Sequence, residues 1–153
     1  MAAAIDEIDA LKRAVYLKVT GDSILSSGQI QLENEKAPDT LPYCRIAVIG
    51  SGEWVYDSQT RMSKNVIVEF DLFTRIISDV RGIRGMAAAI EEAFGKYTRA
   101  RISFALGDCT AEATQFGRGP DTTESDAGLY KIAVLIYFKL VRQDAGGVEP
   151  TAN

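Results

Sequence analysis

The sequence feature that most constrains the fold is the run from Tyr130 to Leu140, in which every second side chain is large and apolar. Successive side chains of a strand point to opposite faces, so this alternation predicts a long strand with one buried face. Leu135, Tyr137 and Val141 occupy the other face, which is therefore more apolar than a single core requires. We expect that second face to be covered or to meet another subunit.

Four further segments are predicted as strands. The clearest alternation runs from Asn65 to Phe73. The segments Gln29–Leu32, Tyr43–Ile49 and Ile102–Leu106 show shorter versions of it. Polar or glycine-containing segments separate them, as expected between strands.

Two other segments repeat their apolar side chains every three or four residues, which indicates one buried stripe on a helix. The first covers residues 4–20 and is stopped by Gly21. The second covers residues 78–95, with Ser78 as its N-cap. Gly82 and Gly85 each cost this helix about 1 kcal/mol relative to alanine, so the pattern leaves its start open.

The order of elements is helix, strands, helix, strands, without regular βαβ alternation. This order predicts an α+β fold: a mostly antiparallel four- to five-stranded sheet with two main helices packed on one face. The single domain covers residues 1–142, and residues 143–153 are predicted to be a flexible tail. The predicted core consists of the residues on the inward stripes: Ile8, Leu11, Val15, Val68, Phe70, Ile90, Phe94, Val134 and Ile136.

Composition limits the classes of function. A net charge of −4 and a pI of about 4.9 give the whole chain no basic character for binding nucleic acid or an anionic membrane. The longest apolar run, Ile132–Phe138, is far shorter than the roughly 20 residues of a membrane span. Asp6 and Glu7 stand where a signal peptide carries positive charge, so we expect an unsecreted protein. Cys44 and Cys109 form no CxxC pair, and Cys44 is expected to be a buried thiol.

The chain contains no histidine. This excludes Ser-His-Asp and Cys-His catalysis and removes the commonest metal ligand, so we expect no catalytic residues, no metal and no cofactor. Glu69 and Asp71 share one strand face and could form an acid/base pair. A solvated or partner-facing surface beside Lys131 and Lys139 is the favoured interpretation, and Glu91-Glu92 is predicted to lie on a solvated helix face.

Two connections are the candidate functional segments: Gly50–Lys64, and Gly107–Gly128, part of which is expected to continue a strand hairpin. Both combine glycines with residue types that are enriched in interface cores. The residues predicted to bind partners are Trp54, Tyr56, Arg61, Gln115, Phe116, Arg118 and Asp121. The alternative, in which Trp54 and Tyr56 extend a strand and pack on the sheet, stays open.

The order of these features resembles the tail-completion (tail terminator) family of long-tailed phages and gene transfer agents. The resemblance covers about residues 5–142 and runs through the first helix, LPYCRIAVI, NVIVEFDLFTR, GMAAAIEEAF and FGRGPDTTESDAGLYKIAVLIYFKL. Features that recur in the family are a proline-aromatic strand opening, acidic outward residues on a strand, and an Arg…Asp…Gly-aromatic entry to the last strand. They correspond here to Pro42-Tyr43, Glu69, Asp71, Arg118, Asp121, Gly128 and Tyr130.

The resemblance implies a structural virion protein that forms a homo-oligomeric ring, expected to contain six subunits. Such a ring caps the tail tube protein, ends tail growth and joins the tail to the head-side connector or stopper protein. It is assembled in the host cytoplasm and resides at the head–tail junction of the virion, with no membrane contact. Six acidic copies would let DNA pass through the lumen without specific binding.

Two other functions remain open. One is a small α+β ligand- or peptide-binding module, which could be dimeric and would leave the long connections without partners. The other is an enzyme that uses carboxylates alone. Such an enzyme should bury Glu69 or Asp71 in a cleft and raise its pKa.

Overall fold

The computed structural model describes residues 6–32, 36, 38, 41–75, 80–97, 102–119, 122–124 and 129–143, with residues 80–81 and 122–124 described by their backbone alone. Its helices are α1 (Glu7–Gly21) and α2 (Val80–Ala93). Its strands are β1 (Ile30–Leu32), β2 (Tyr43–Ser51), β3 (Val55–Tyr56), β4 (Arg61–Thr74), β5 (Ser103–Ala105), β6 (Thr110–Arg118), β7 (Thr122–Glu124) and β8 (Leu129–Gln143).

Helix α1 begins where the Asp6 side chain accepts hydrogen bonds from the backbone N–H groups of Ile8 and Asp9, at 2.9 and 3.3 Å. This N-cap satisfies two amides that have no partner inside the helix. The helix buries Leu11 and Val15, and the periodicity of the sequence predicts both.

Two residues after Ala93, helix α2 is terminated by Gly95, whose φ of 89° is the left-handed conformation that glycine adopts without strain. The Gly95 amide donates to the Glu92 carbonyl and the Lys96 amide to the Glu91 carbonyl, both at 3.0 Å. This pair of bonds is the Schellman motif. It brings Lys96 back toward Glu91. The predicted N-cap, Ser78, lies outside the described residues.

The eight strands form one sheet in the order β1-β2-β4-β8-β6-β5, with β3 added to β4 and β7 to β8. All pairs are antiparallel apart from β1 with β2, which is parallel. The mixed sheet curls into a half-barrel. The prediction of a simple helix-packed sheet of four to five strands is therefore wrong, although the strand pairs are mostly antiparallel.

The extra strands arise because two long strands are interrupted. β3 continues β2 along the same side of β4, and β7 continues β6 along the same side of β8. A β-bulge lies in each interrupted strand, between Val48 and Gly50 and between Ala113 and Gln115. Bulges bend a strand and increase its twist, which favours a curled sheet over a flat one.

One hydrophobic core lies between the helices and the inner face of the sheet. All nine predicted core residues belong to it; eight are buried and Ile8 packs at its margin. Phe94 of the α2 terminus packs against Phe70 of β4 and Phe138 of β8, with ring centroids 5.7 and 6.0 Å apart. These aromatic contacts join the second helix to the two central strands.

The prediction for Cys44 is confirmed: the thiol is fully buried and free. Burial raises its pKa well above the usual range. Cys109 is also buried and free. None of the helices in the described ranges is long and apolar enough to cross a membrane. Gln143 is the last residue of β8, and the rest of the predicted tail lies outside the described residues.

Candidate partner-binding surface

Trp54 turns inward and covers one end of the core. Two cations make cation–π contacts with its ring: Arg142 Cζ lies 5.1 Å and Lys64 Nζ 5.7 Å from the ring centroid. Lys64 also donates to the Glu7 carboxylate at 2.8 Å, and this bond lowers the pKa of Glu7. Trp54 therefore links α1, β4 and β8, as the packing alternative predicts for it.

The rest of the segment Gly50–Lys64 is a hairpin. Tyr56 lies on β3 and is 52% exposed, next to Val55 at 56%. Arg61 opens β4, is exposed, and has its Nε 3.9 Å from an Asp57 carboxylate oxygen. The hydroxyl of Ser63 donates to the other Asp57 oxygen at 2.9 Å. Asp57 thus holds the turn, and Tyr56 and Arg61 face solvent.

Arg118 has an intramolecular partner. Its Nε and Nη2 donate to the two carboxylate oxygens of Glu91, at 3.1 and 2.9 Å. Lys96 Nζ is 3.2 Å from the same carboxylate. The Glu91 side chain is 0% exposed. A buried carboxylate with two cationic partners holds the end of β6 on helix α2.

The predicted solvated position of Glu91 is therefore wrong, whereas its neighbour Glu92 is exposed. Glu91 follows the buried Ala87 by four residues and precedes the buried Phe94 by three, so it lies on the buried stripe. That spacing is the sequence signal that could have identified it.

Gln115 and Phe116 lie on opposite faces of β6, directly after its bulge. Phe116 packs against the core. Gln115 is exposed and lines a shallow groove of about 410 Å³ on the outer face of the sheet, whose apolar lining is Ile67 and Tyr137. The last predicted residue, Asp121, lies outside the described residues.

The structure therefore does not bring the described members of the predicted set to one site. Trp54, Phe116 and Arg118 are engaged in packing or in an internal ion pair. Tyr56 and Arg61 are exposed at the β3–β4 hairpin, and Gln115 is exposed on the outer face. Much of Gly107–Gly128 is strand, because β6 and β7 occupy it.

A second charged cluster lies on the outer face, where the carboxylate of Asp71 is 1% exposed. Arg45 Nη2 donates to Asp71 Oδ2 at 2.7 Å, and Lys131 Nζ is 3.9 Å from Oδ1. The Arg45 guanidinium also stacks over Phe73, 5.4 Å from its centroid. The prediction that Asp71 faces solvent is wrong, because its side chain is buried, although Lys131 lies beside it as expected.

Glu69 shares the face of Asp71 and is half-buried. Loss of solvent raises its pKa, and the neighbouring Asp71 carboxylate raises it further. Neither carboxylate lines the cavities of about 210, 360 and 410 Å³ that described residues form. In the described part of the chain, no three Cys, Asp or Glu side chains gather closely enough to hold a metal ion. The arrangement holds neighbouring strands together through ion pairs.

No protein-family model matches the chain, and no curated protein matches it. The fold itself matches 28 chains of solved structures. One of these aligns with a TM-score of 0.58 over 86% of this chain and 94% of its own length, at 15% sequence identity. Similarity at this level of identity shows the fold alone.

Proposed function

We propose that this chain is a structural assembly protein, a tail terminator that forms a ring at the end of a phage-like tail tube. One observation carries the proposal: Val55 and Tyr56, both more than half exposed, form the apolar edge strand β3. The charged residues that could suggest chemistry are instead held in ion pairs, Arg118 with Glu91 and Asp71 with Arg45. An apolar edge with internally paired charges favours a protein that binds partners.

The resemblance along residues 5–142 gives the proposal its specific form. The partners are other copies of the chain, expected to be six in the ring, the tail tube protein on one side, and the head-side connector on the other. DNA passes through the lumen without specific binding, and no cofactor takes part. The function is stoichiometric: a tube made of self-complementary rings has no internal stop, so a cap must match its end and present a different surface beyond it.

Electron microscopy of the purified chain, alone and mixed with tail tube protein, tests the proposal directly. We expect rings that bind one end of the tubes. Deleting the gene should leave filled heads without tails, together with unattached tails of irregular or excessive length. Normal DNA-transferring particles made without this protein would contradict the proposal.

A small ligand- or peptide-binding module is the second candidate. The groove of about 410 Å³ with Ile67 and Tyr137 in its lining favours it, because concave apolar surfaces with polar rims bind small molecules and peptides. A purified chain that is dimeric, forms no rings and does not bind tail tube protein would favour this candidate.

A further inference from the structure

Four described strands of the curled sheet, β1, β3, β5 and β7, have a single strand neighbour each. Two of these edges matter for the contact between copies: β3, which pairs with β4, and β5, which pairs with β6. A strand edge offers backbone N–H and C=O groups to any extended segment that reaches it. The half-barrel is therefore open at both of these edges.

The two edges lie at the same level of the sheet. The register places Val55 opposite Ser63, and Ser63 opposite Val141. Val141 in turn lies opposite Thr110, and Thr110 opposite Ala105. One row of residues thus crosses the sheet from β3 to β5, so the two edges can meet when copies stand side by side at equal height.

The two edge strands are short, which limits edge pairing, but they lack the side chains that block an edge. Natural edges are usually blocked by charged side chains or proline. β3 consists of Val55 and Tyr56, and β5 of Ser103, Phe104 and Ala105, so neither contains a charge or a proline. Val55 and Tyr56 are both more than half exposed. An open cavity of about 360 Å³ lies beside β5, lined in part by Ala105, Thr110 and Val141.

We infer that β3 of one copy pairs with β5 of the next copy, so that the sheets of neighbouring subunits join edge to edge. This inference rests on the proposed ring and names its subunit contact. The two edges differ, so the contact is heterologous and propagates until rotation closes it. The antiparallel pairs from β3 through β4, β8 and β6 to β5 make β3 and β5 run in the same direction. Copies related by rotation about an axis along the strands therefore pair in parallel.

Cysteine cross-linking between two different variants tests the contact. The background carries Cys109→Ser, because Cys109 lies beside β5, whereas Cys44 is fully buried. Val55→Cys and Ala105→Cys are introduced into separate chains, which are mixed at equal concentration and treated with a short bismaleimide. We expect cross-linked dimers in the mixture and only background levels in either variant alone. Efficient cross-linking of Val55→Cys with itself would overturn the inference, since it indicates a symmetric contact.

A charge placed on the edge provides an independent measurement. Val55→Lys should raise the concentration needed for half-assembly by at least about tenfold, because it would bury a lysine against a neighbouring edge. Leu17→Lys is the matched control, because Leu17 is similarly exposed at 53% but lies on helix α1. Thermal unfolding of both variants checks that the monomer still folds. Equal loss of assembly in the two variants, or none in Val55→Lys, would refute the contact.

The outcomes separate this inference from the proposed function. Rings without cross-links in the mixed sample would overturn the edge contact and leave the ring in place. A chain that stays monomeric, both alone and with tail tube protein, would overturn the contact and the proposed function together.

Discussion

Arg118 donates two hydrogen bonds to Glu91, a carboxylate that has no exposed surface. The two residues lie on β6 and α2, and their contact holds the last turns of the helix to the sheet. Removing one partner of a buried pair leaves the other desolvated and without its hydrogen bonds, which costs more than the pair itself contributes. Arg118 therefore has a role in the fold, and its predicted contact with a partner stays a prediction.

Arg118→Ala should lower the free energy of unfolding by about 1–3 kcal/mol, since Lys96 still faces the Glu91 carboxylate. Arg118→Glu should be worse, because it places a second carboxylate beside the first. Urea denaturation measures both. Arg13→Ala is the control, since Arg13 is exposed on helix α1. If Arg118→Glu has the same free energy of unfolding as the wild type, the ion pair has no structural role.

The aromatic cluster gives a second prediction. Phe70→Ala or Phe94→Ala should each lower the free energy of unfolding by about 3–5 kcal/mol, because each removes a fully buried ring from a packed core. Tyr97→Ala, which truncates an aromatic side chain that is 67% exposed, should have little effect in the same melts. Unchanged melting of both phenylalanine variants would contradict the core assignment.

The glycines of α2 allow a stabilising prediction. A Cβ at Gly82 or Gly85 would meet nothing within 4 Å, so alanine should fit and stabilise the helix by about 0.4–1 kcal/mol at each position. Gly95→Ala should act in the opposite direction, because its φ of 89° is unfavourable for any side chain. Thermal denaturation should show a higher melting temperature for Gly82→Ala and Gly85→Ala and a lower one for Gly95→Ala. A destabilising Gly85→Ala would mean that position 85 does not lie in the helix.

The parts of the fold that could be predicted from the sequence are those in which large apolar side chains recur at the spacing of a strand or of a helix. β8 and β4 alternate large apolar residues, and both helices repeat them at helical spacing. β6 was missed as a separate strand because its inward residues include Ala111 and Ala113, which have low strand propensity. The bulges inside β2 and β6 have no consistent local signal, because the first contains Gly50 and the second contains no glycine.

The candidate site was less predictable because its partners are distant in sequence. Trp54, Arg118 and Tyr56 belong to residue types that are common in interfaces, and composition alone cannot tell which of them turn inward. Lys64 and Arg142 approach Trp54 from two different strands, and Glu91 approaches Arg118 from a helix. The register of the sheet and the packing of α2 on it decide these contacts. Tyr56 remains exposed because β3 lies at an edge.

The last prediction uses two glutamates whose pKa values shift in opposite directions. The pKa of Glu69 is raised by loss of solvent and by Asp71, whereas the pKa of Glu7 is lowered by its hydrogen bond with Lys64. A carboxyl group with a raised pKa binds its proton more tightly in the folded state, so its contribution to stability is present at low pH and is lost as pH rises through the folded pKa. A carboxyl group with a lowered pKa contributes stability above its unfolded pKa and loses it as pH falls through the folded pKa.

Glu69→Gln should therefore raise the melting temperature relative to the wild type by an amount that grows as pH rises from 4 to 7. Glu7→Gln should lower the melting temperature at pH 7, and the difference from the wild type should shrink toward pH 3 as the carboxylate that Lys64 binds is protonated. The two variants control for each other, because both replace a carboxyl with an amide of the same shape. Differential scanning calorimetry between pH 3 and pH 7 gives both series. For each variant, the quantity compared is its melting temperature minus that of the wild type. If this signed difference rises with pH for both variants, or falls for both, the charge environments of Glu69 and Glu7 are not those of the structure.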